Sequence, residues 1–594
     1  MSAHQELPEW NLNDLYLSPQ DSKIEADLKA CTQQALAFSK RYSGFFLKDS
    51  WGGQDLFEAI ETYEKTSEVL GKLASFAGLL YYQNLKNLEA QRFYQEIQEK
   101  ITVIGTHFIF FTLEVNKIDD DVLNRSLESF PSLNHYGPWL RQIRTFRAHQ
   151  LPENLEKLLM EKALTSSRAW NRLFDETLAH MKFNVDGQSL TLPEVSDLMS
   201  SKDSAIRHKA AMALSDGLAE QSSLLTMITN TLVKDKEIED TWRKYPHPTS
   251  ERHLSNQVES EVVEALVNAV KSNYSNLSHR YYKLKAKLLG QPILQYWDRN
   301  APLPEIGDEK ISWEQAKQTV LDAYHGFSPQ MADIAKNFFD NGWIDAPVRE
   351  GKTSGAFSHS TVPSVHPYIL LNYQGRTRDV MTLAHELGHG IHQTLSAKQG
   401  YFLADTPLTI AETASVFGEM LAFRSLLKQE TNPLKKRQLL ASKIEDMINT
   451  AVRQIAFYDF EQQVHNKRRQ GELSPDDLGD IWIQTQTEAL GDGVYVDPLT
   501  RPYWGYITHF IHSPFYVYAY AFGDCLVNSL YAVFQENPDG FSEKYVCLLS
   551  KGGSQLYSEL LQPFGLDAKH PDFWEKGLGM ISDLIDELET LVNG

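Results

Sequence analysis

Residues 382–390 read Thr-Leu-Ala-His-Glu-Leu-Gly-His-Gly, and within them His385, Glu386 and His389 form the pattern His-Glu-x-x-His. With 3.6 residues per helical turn, His385 and His389 lie one above the other on one face, about 6 Å apart before their side chains converge. Two neutral imidazoles at that separation can share one divalent ion at roughly 2.0–2.1 Å from each nitrogen, the distance zinc prefers. Glu386 points to the adjacent side of the helix, where a carboxylate reaches a metal-bound water without displacing it and serves as general base. The stretch therefore predicts a helix, one zinc ion per chain and metal-assisted hydrolysis. Gly388 and Gly390 interrupt an otherwise helical pattern. Each costs about 1 kcal/mol relative to alanine, which predicts that something packs closely against this face.

A third ligand is available downstream. Ile410-Ala-Glu412-Thr-Ala-Ser-Val-Phe-Gly-Glu419 reads as the start of a second helix, after a stop and a loop running from Gly400 through Pro407. A carboxylate from Glu412 completes two-His, one-Glu ligation and leaves the fourth position of a catalytic zinc open for water. Glu419, seven residues on and on the same face, is expected to accept from the ring N–H of a ligating histidine and fix its tautomer. His392 shares the stripe of His385, but a rise of 1.5 Å per residue puts it about 10.5 Å along the axis, too far to share the ion. A substrate contact or a capping role is expected for it instead. The metzincin pattern requires Gly and His where this chain has His392 and Leu395, so that class is excluded.

Outward from this centre, helical periodicity dominates. Ile24, Leu28, Cys31, Ala35 and Phe38 recur at i, i+4, i+7, i+11 and i+14, one apolar stripe. Asn432-Pro433 reads as an N-cap followed by the first helical position, with Leu440, Ile444, Met447, Ile448 and Ile455 after it. The fold class is mainly α. The exception lies just before the motif, where Ser354–Ser360 and Tyr368–Gly375 are bounded by Pro363, Pro367 and Gly375 and read as strands. A small β-sheet beside the HExxH helix offers an edge to which an extended peptide can pair.

Near the C-terminus, His509, His512, Tyr516 and Tyr520 fall at i, i+3, i+7 and i+11, one helical stripe made wholly of hydrogen-bonding side chains. Peptide hydrolysis builds negative charge on the former carbonyl oxygen, and positioned O–H or N–H donors stabilise it. Tyr520 and His509 are the first candidates for that role and Tyr516 and His512 the second; Tyr518 lies half a turn off the stripe. Gly491 to Gly493 is expected to form a mobile lid.

Among 594 residues, 78 Asp and Glu face 57 Lys and Arg, a net charge of -21 that disfavours nucleic acid and anionic membrane as partners. Three cysteines, none in a Cys-x-x-Cys pair, argue against a disulfide framework and for a reducing compartment; each is expected to be a buried small hydrophobe. The first ten residues lack a basic stretch followed by an apolar one, so no signal peptide is expected and the protein is read as cytoplasmic. The most apolar run, Phe108–Val115, is too short to cross a bilayer.

These residues resemble the oligoendopeptidase F family, relatives of thimet oligopeptidase among zinc metallopeptidases whose third ligand is Glu. The resemblance runs through Trp10–Tyr16, Trp343–Pro347, Lys352–Phe357, Thr382–His392, Ile410–Glu419, the Tyr-rich stretch, Gly552–Ser554 and Phe564–Asp567. It implies zinc ligands His385, His389 and Glu412, with Glu386 as base. It also implies a two-lobed helical body around a deep channel that admits short unstructured peptides. The chain is expected to divide into an N-terminal helical lobe, residues 1–195, and a catalytic domain, residues 196–594. The leading expectation is a zinc endopeptidase acting on oligopeptides. A metallocarboxypeptidase needs a cation for the substrate's terminal carboxylate, for which Arg376, Arg378 and Arg501 are available; a non-catalytic peptide-binding protein would be expected to have lost a ligand or the base.

Overall fold

The apolar stripe near the N-terminus becomes helix Ser22–Tyr42, with Ile24, Leu28, Cys31, Ala35 and Phe38 buried and Asp21 capping it by accepting from the Lys23 N–H. Asn432 likewise caps helix Pro433–Thr450 by accepting from the Leu434 N–H, with Pro433 at the first position. That helix ends one turn earlier than the periodicity suggests: the backbone breaks at Ala451, and Ile455 belongs to the next helix, Val452–Arg468. The computed structural model describes residues 7–48, 50–303 and 310–593. These residues are mainly helical, with three small sheets among them.

The chain forms two compact units, each assembled from three segments. The first comprises Met1–Arg147, Asp308–Lys428 and Asn537–Gly565; the second comprises Ala148–Gly307, Gln429–Glu536 and Leu566–Gly594. The expected border at 195/196 thus falls inside the second unit. The reason is that the N-terminal helices pack with the segment that carries the HExxH helix. Phe402 stacks on Trp139 at 5.0 Å and meets Tyr63 at 5.0 Å, its N–H reaches Glu64, and the Tyr368 hydroxyl donates to the Asn11 carbonyl at 2.8 Å. Phe38, Phe108 and Phe111 form an aromatic knot within the same core. Full burial of each such side chain contributes about 1.5–3 kcal/mol.

The three-stranded sheet of the first unit has Tyr368–Leu370 at its centre, parallel to Ile344–Asp345 and antiparallel to Phe357–His359. Both segments read as strands do pair, Phe357 opposite Leu370 and His359 opposite Tyr368, but each is only three residues long. Strand Phe357–His359 is at the edge. Its Ser358 is tied to the HExxH helix, the hydroxyl donating to Gln393 Oε1 at 2.8 Å and the carbonyl accepting from Gln393 Nε2 at 3.2 Å.

The second unit is built around helices Tyr518–Glu536 and Pro571–Asn593. They approach closely enough that a Cβ at Gly577 would meet the Cys525 carbonyl at 2.3 Å, and Phe522 packs on Trp574 at 4.9 Å. Cys31 and Cys525 are buried as expected, but Cys547 is exposed. It sits on the face of helix Phe541–Leu549 opposite the buried Tyr545, Leu548 and Leu549. Gly491 to Gly493 is a packed 3-10 turn, not a lid: a Cβ at Gly491 would strike the His279 ring at 2.3 Å and one at Gly493 the Lys283 backbone at 2.9 Å.

Candidate metal and catalytic centre

Helix Thr377–Ser396 carries the motif. Asp379 caps its start by accepting from the backbone N–H groups of Gln374 and Arg376, and Leu383, Leu387 and Ile391 bury its apolar face completely. Tyr324 anchors the middle, its hydroxyl donating to the Ala384 carbonyl at 2.7 Å. The two glycines sit where the packing is closest. A Cβ at Gly390 would meet the Phe338 ring at 2.6 Å, and one at Gly388 would meet the Ala414 carbonyl oxygen at 2.3 Å and Ser415 Cα at 2.6 Å. Removing the side chain at 388 lets a second helix come in against the motif.

That second helix, Thr413–Gln429, follows a short turn of helix at Leu408–Ala411, and Glu412 occupies the junction between them. The Thr413 hydroxyl donates to the Ile410 carbonyl and Tyr545 donates to the Thr413 carbonyl, fixing the corner. Glu412 Oε2 lies 3.4 Å from His385 Nε2 and 3.4 Å from His389 Nε2. Ligand atoms of all three residues fall within 4.8 Å of one another. Donors about 2.0–2.1 Å from a tetrahedral zinc are separated by about 3.3–3.4 Å, so the two His–Glu spacings fit such an ion without rearrangement. Glu419 Oε2 is 3.2 Å from His385 Nδ1, the nitrogen turned away from the cluster, and the Ser415 hydroxyl donates to Glu412 Oε2 at 2.6 Å.

The electrostatics follow from burial and charge. Burial alone would lower the His385 pKa, but its hydrogen bond to Glu419 and the charges of Glu412 and Glu386 raise it to about 9. Burial alone would raise that of Glu412, but the hydrogen bond and charge of His389, the charge of His385 and the Ser415 hydroxyl hold it at about 2. Glu386 is 6 % exposed; burial raises its pKa, partly offset by the imidazoles and by the N–H of Ser358 on the edge strand. Two carboxylates and two imidazoles are thus held together, with Glu386 buried and the three candidate ligands partly exposed. His392 is 3 % exposed, and burial lowers its pKa to about 3, which makes it a core residue out of reach of a substrate.

The Tyr/His stretch belongs to the second unit and is not one continuous helix. His509–His512 is a single turn, helix Tyr518–Glu536 begins six residues later, and Phe515 between them has φ of +59°. Pro514 lacks an N–H and disfavours helical geometry at Ser513, which breaks the stripe. Three of the four side chains converge nonetheless. His509 Nε2 is 3.3 Å from the Tyr520 hydroxyl, and Tyr516 packs edge-on to Tyr520 at 5.3 Å. His512 turns away to pair with Asp175 at 2.7 Å. Tyr518 is buried, accepting from Asn256 Nδ2 at 2.9 Å and lying 3.1 Å from His253 Nδ1. Sequence spacing alone did not point to Tyr324, Ser358 or Ser415, whose roles arise from contacts between distant segments.

A family model described as Peptidase family M3 matches residues 197–580, and one described as Oligopeptidase F matches residues 114–183. The chain belongs to peptidase family M3. As an M3 member the protein is a hydrolase of peptide bonds, and its relatives are named as oligopeptidases. Oligopeptidase PepF of Bacillus subtilis is 27% identical over 98% of this chain and 87% of its own length. An oligoendopeptidase F homolog of Lactococcus lactis subsp. lactis is 26% identical over 98% of this chain and 97% of its own. The fold is shared with the crystal structure of oligoendopeptidase-F from Enterococcus faecium, at a TM-score of 0.71 and 20% identity over 96% of this chain and 99% of that one. The crystal structure of a Chlamydophila abortus protein superposes at a TM-score of 0.86 with 24% identity, covering 98% of each chain. Among the described residues of this M3 peptidase, no single helix is long and apolar enough to cross a membrane.

Proposed function

We propose that this M3 peptidase is a zinc-dependent endopeptidase that hydrolyses internal bonds of short, unstructured oligopeptides in the cytoplasm. The observation that carries the reading is the convergence of His385, His389 and Glu412 at spacings suited to one ion, with buried Glu386 on the adjacent side of the same helix. His385, His389 and Glu412 would hold the metal. When bound, zinc supplies Lewis acidity that lowers the pKa of a water towards 7 and polarises the scissile carbonyl.

The remaining steps belong to side chains of this protein. Glu386, with its pKa raised by burial, accepts the proton of the attacking water and returns it to the leaving amine. Glu419 holds His385 in the tautomer whose Nε2 is free to ligate. Edge strand Phe357–His359 ties down the base: the Ser358 N–H is engaged by Glu386 and the Ser358 carbonyl by Gln393, so these two groups are not free to pair with an extended peptide. Tyr520 and His509, then Tyr516, are the donors proposed for the developing oxyanion, each hydrogen bond contributing several kcal/mol to the transition state. His512 ranks last because Asp175 already engages it. Arg501 pairs with Asp480 at 2.7 Å and Asp476 at 3.6 Å, which weakens its candidacy as a carboxypeptidase cation.

The test is cleavage of an internally quenched peptide of about ten residues blocked at both ends, with Glu386→Gln expected to lose about 10²–10⁴-fold in rate and chelation to abolish it. Hydrolysis of only the version with a free C-terminus would replace the endopeptidase by a carboxypeptidase. Zinc binding with no hydrolysis of either would leave a peptide-binding protein.

A further inference from the structure

The second unit holds a group of charges that the metal centre does not use. Arg299 is 6 % exposed and lies over Tyr296, its guanidinium carbon 4.8 Å from the ring centroid. Arg453, at the start of helix Val452–Arg468, lies 5.0 Å over Phe457. The two guanidiniums are close enough to repel one another, and Tyr282, Tyr296 and Tyr506 interact with both. The Nε atoms of both arginines are buried without a hydrogen-bond partner. The strongest electrostatic neighbours of both are the three phenols, of which Tyr296 also hydrogen-bonds Arg299, and for Arg453 the other guanidinium. Other buried cations in the same unit are paired: Arg207 with Asp298 at 2.7 Å and Lys285 with Glu445 at 2.6 Å.

A guanidinium does not release its proton in a protein, so two facing arginines cannot relieve their repulsion by neutralising. Nor do the phenols supply a counter-charge. Burial raises the pKa of Tyr282 and Tyr506, which keeps them neutral and leaves them as O–H donors. Two fixed cations beside phenolic hydroxyls, with Arg453 and Tyr506 partly open to solvent, make a donor set suited to a small anion. The net charge of -21 gives no general attraction for anions, so selectivity would arise locally.

We propose that Arg299 and Arg453, with the hydroxyls of Tyr282 and Tyr506, bind a small monovalent anion: the free C-terminal carboxylate of an oligopeptide, or chloride. The site adjoins the Tyr/His group, since His509 is within electrostatic range of Arg453 and 3.3 Å from the Tyr520 hydroxyl. The carboxylate source rests on the peptidase reading; the chloride source does not.

Two measurements on the full-length protein test this. Crystals soaked in bromide should show an anomalous peak between the two guanidiniums, and Tm should rise with bromide above its value in a bulky organic anion at equal ionic strength. Separately, quenched peptides with free-acid and amidated C-termini should differ about tenfold in KM in favour of the acid, with the preference lost in Arg453→Gln. Bromide binding with equal KM values assigns the site to inorganic anions, and acid preference without bromide assigns it to the substrate terminus. Absence of the peak, of anion-specific stabilisation and of acid preference overturns the proposal. If Arg453→Gln does not fold, Tyr506→Phe replaces it, and the wild-type comparisons stand alone. The bromide arm needs no peptidase activity, so its outcome is separable from the fate of the endopeptidase reading.

Discussion

Gly388→Ala adds one methyl group between the two histidines proposed as metal ligands. Alanine favours the helix over glycine by about 1 kcal/mol, so on propensity alone the variant is more stable. The structure predicts the opposite balance at the site. The new Cβ would lie 2.3 Å from the Ala414 carbonyl oxygen, whereas ordinary contact begins at 3.4 Å, so the two backbones must part by about 1.1 Å. The obstacle is backbone, with no rotamer to turn aside, and overpacking of this kind costs about 1–3 kcal/mol. The net change in folding stability is therefore small, at most about 2 kcal/mol of destabilisation. The change in function is not. Glu412 precedes Ala414 by two residues, and a metal site tolerates ligand displacements of about 0.2 Å. A 1 Å misplacement of a reacting group costs about 10²-fold. Zinc affinity, measured by competition with a chromophoric chelator, and kcat/KM should both fall by about that factor, while Tm in chelator shifts by only a few degrees. Gly390→Ala is the comparison, because its Cβ meets the Phe338 side chain at 2.6 Å and not the backbone next to Glu412, so zinc affinity should change less even if stability falls. A Gly388→Ala protein that binds zinc and turns over like wild type would show that the helix contact does not set the ligand geometry.

Three other outcomes are expected. Glu419→Gln should weaken zinc binding by about 10–100-fold without unfolding the protein, read by the same competition; unchanged affinity would remove Glu419 from the site. Burial holds the Glu461 carboxyl at about 8, against an ordinary 4.5. Between those values the folded state keeps a proton that the unfolded state has lost, so its contribution to stability is full below pH 4.5 and declines as pH rises through 8, by up to about 1.4 kcal/mol per pH unit. Denaturant unfolding of Glu461→Gln from pH 5 to 8 should lack that decline, and parallel curves for the two proteins would refute it. Cys547 should react with a thiol reagent in the native state while Cys31 and Cys525, buried and with thiol pKa values raised, should wait for unfolding.

Much of the candidate metal centre was legible because its parts are local. His385, Glu386 and His389 share one helix, and helical geometry alone fixes their relation. Glu412 was legible because it lies near in sequence, yet its placement at a break between Leu408–Ala411 and Thr413–Gln429 was not, since Tyr545, more than a hundred residues later, fixes that corner. The Tyr/His stripe shows the reverse error. Spacing implied one helix, while Pro514 stood in the sequence as the signal that the helix must stop. The expected division at 195/196 treated the chain as consecutive blocks. Contacts such as Trp139 on Phe402 and Tyr368 on Asn11 are long-range and leave no periodic trace. Arg299 and Arg453 are 154 positions apart, and neither stands out until Tyr296 and Tyr506 are seen around both.

The discontinuity of the first unit has a consequence for how the protein is made. Translation delivers His385, Glu386 and Glu412 long before it delivers Asn537–Gly565, the last segment of that unit. Yet it is this late segment that supplies the Tyr545 bond to the Thr413 carbonyl, the Gly553 N–H for the Leu403 carbonyl at 2.8 Å, and the Ser550 carbonyl for Gln399 at 2.8 Å. A nascent chain on the ribosome thus carries every candidate ligand and still lacks the struts that hold them in register. Products stalled before that segment are born unfinished, and the capacity to cut peptides arrives only after Asn537–Gly565 has been made.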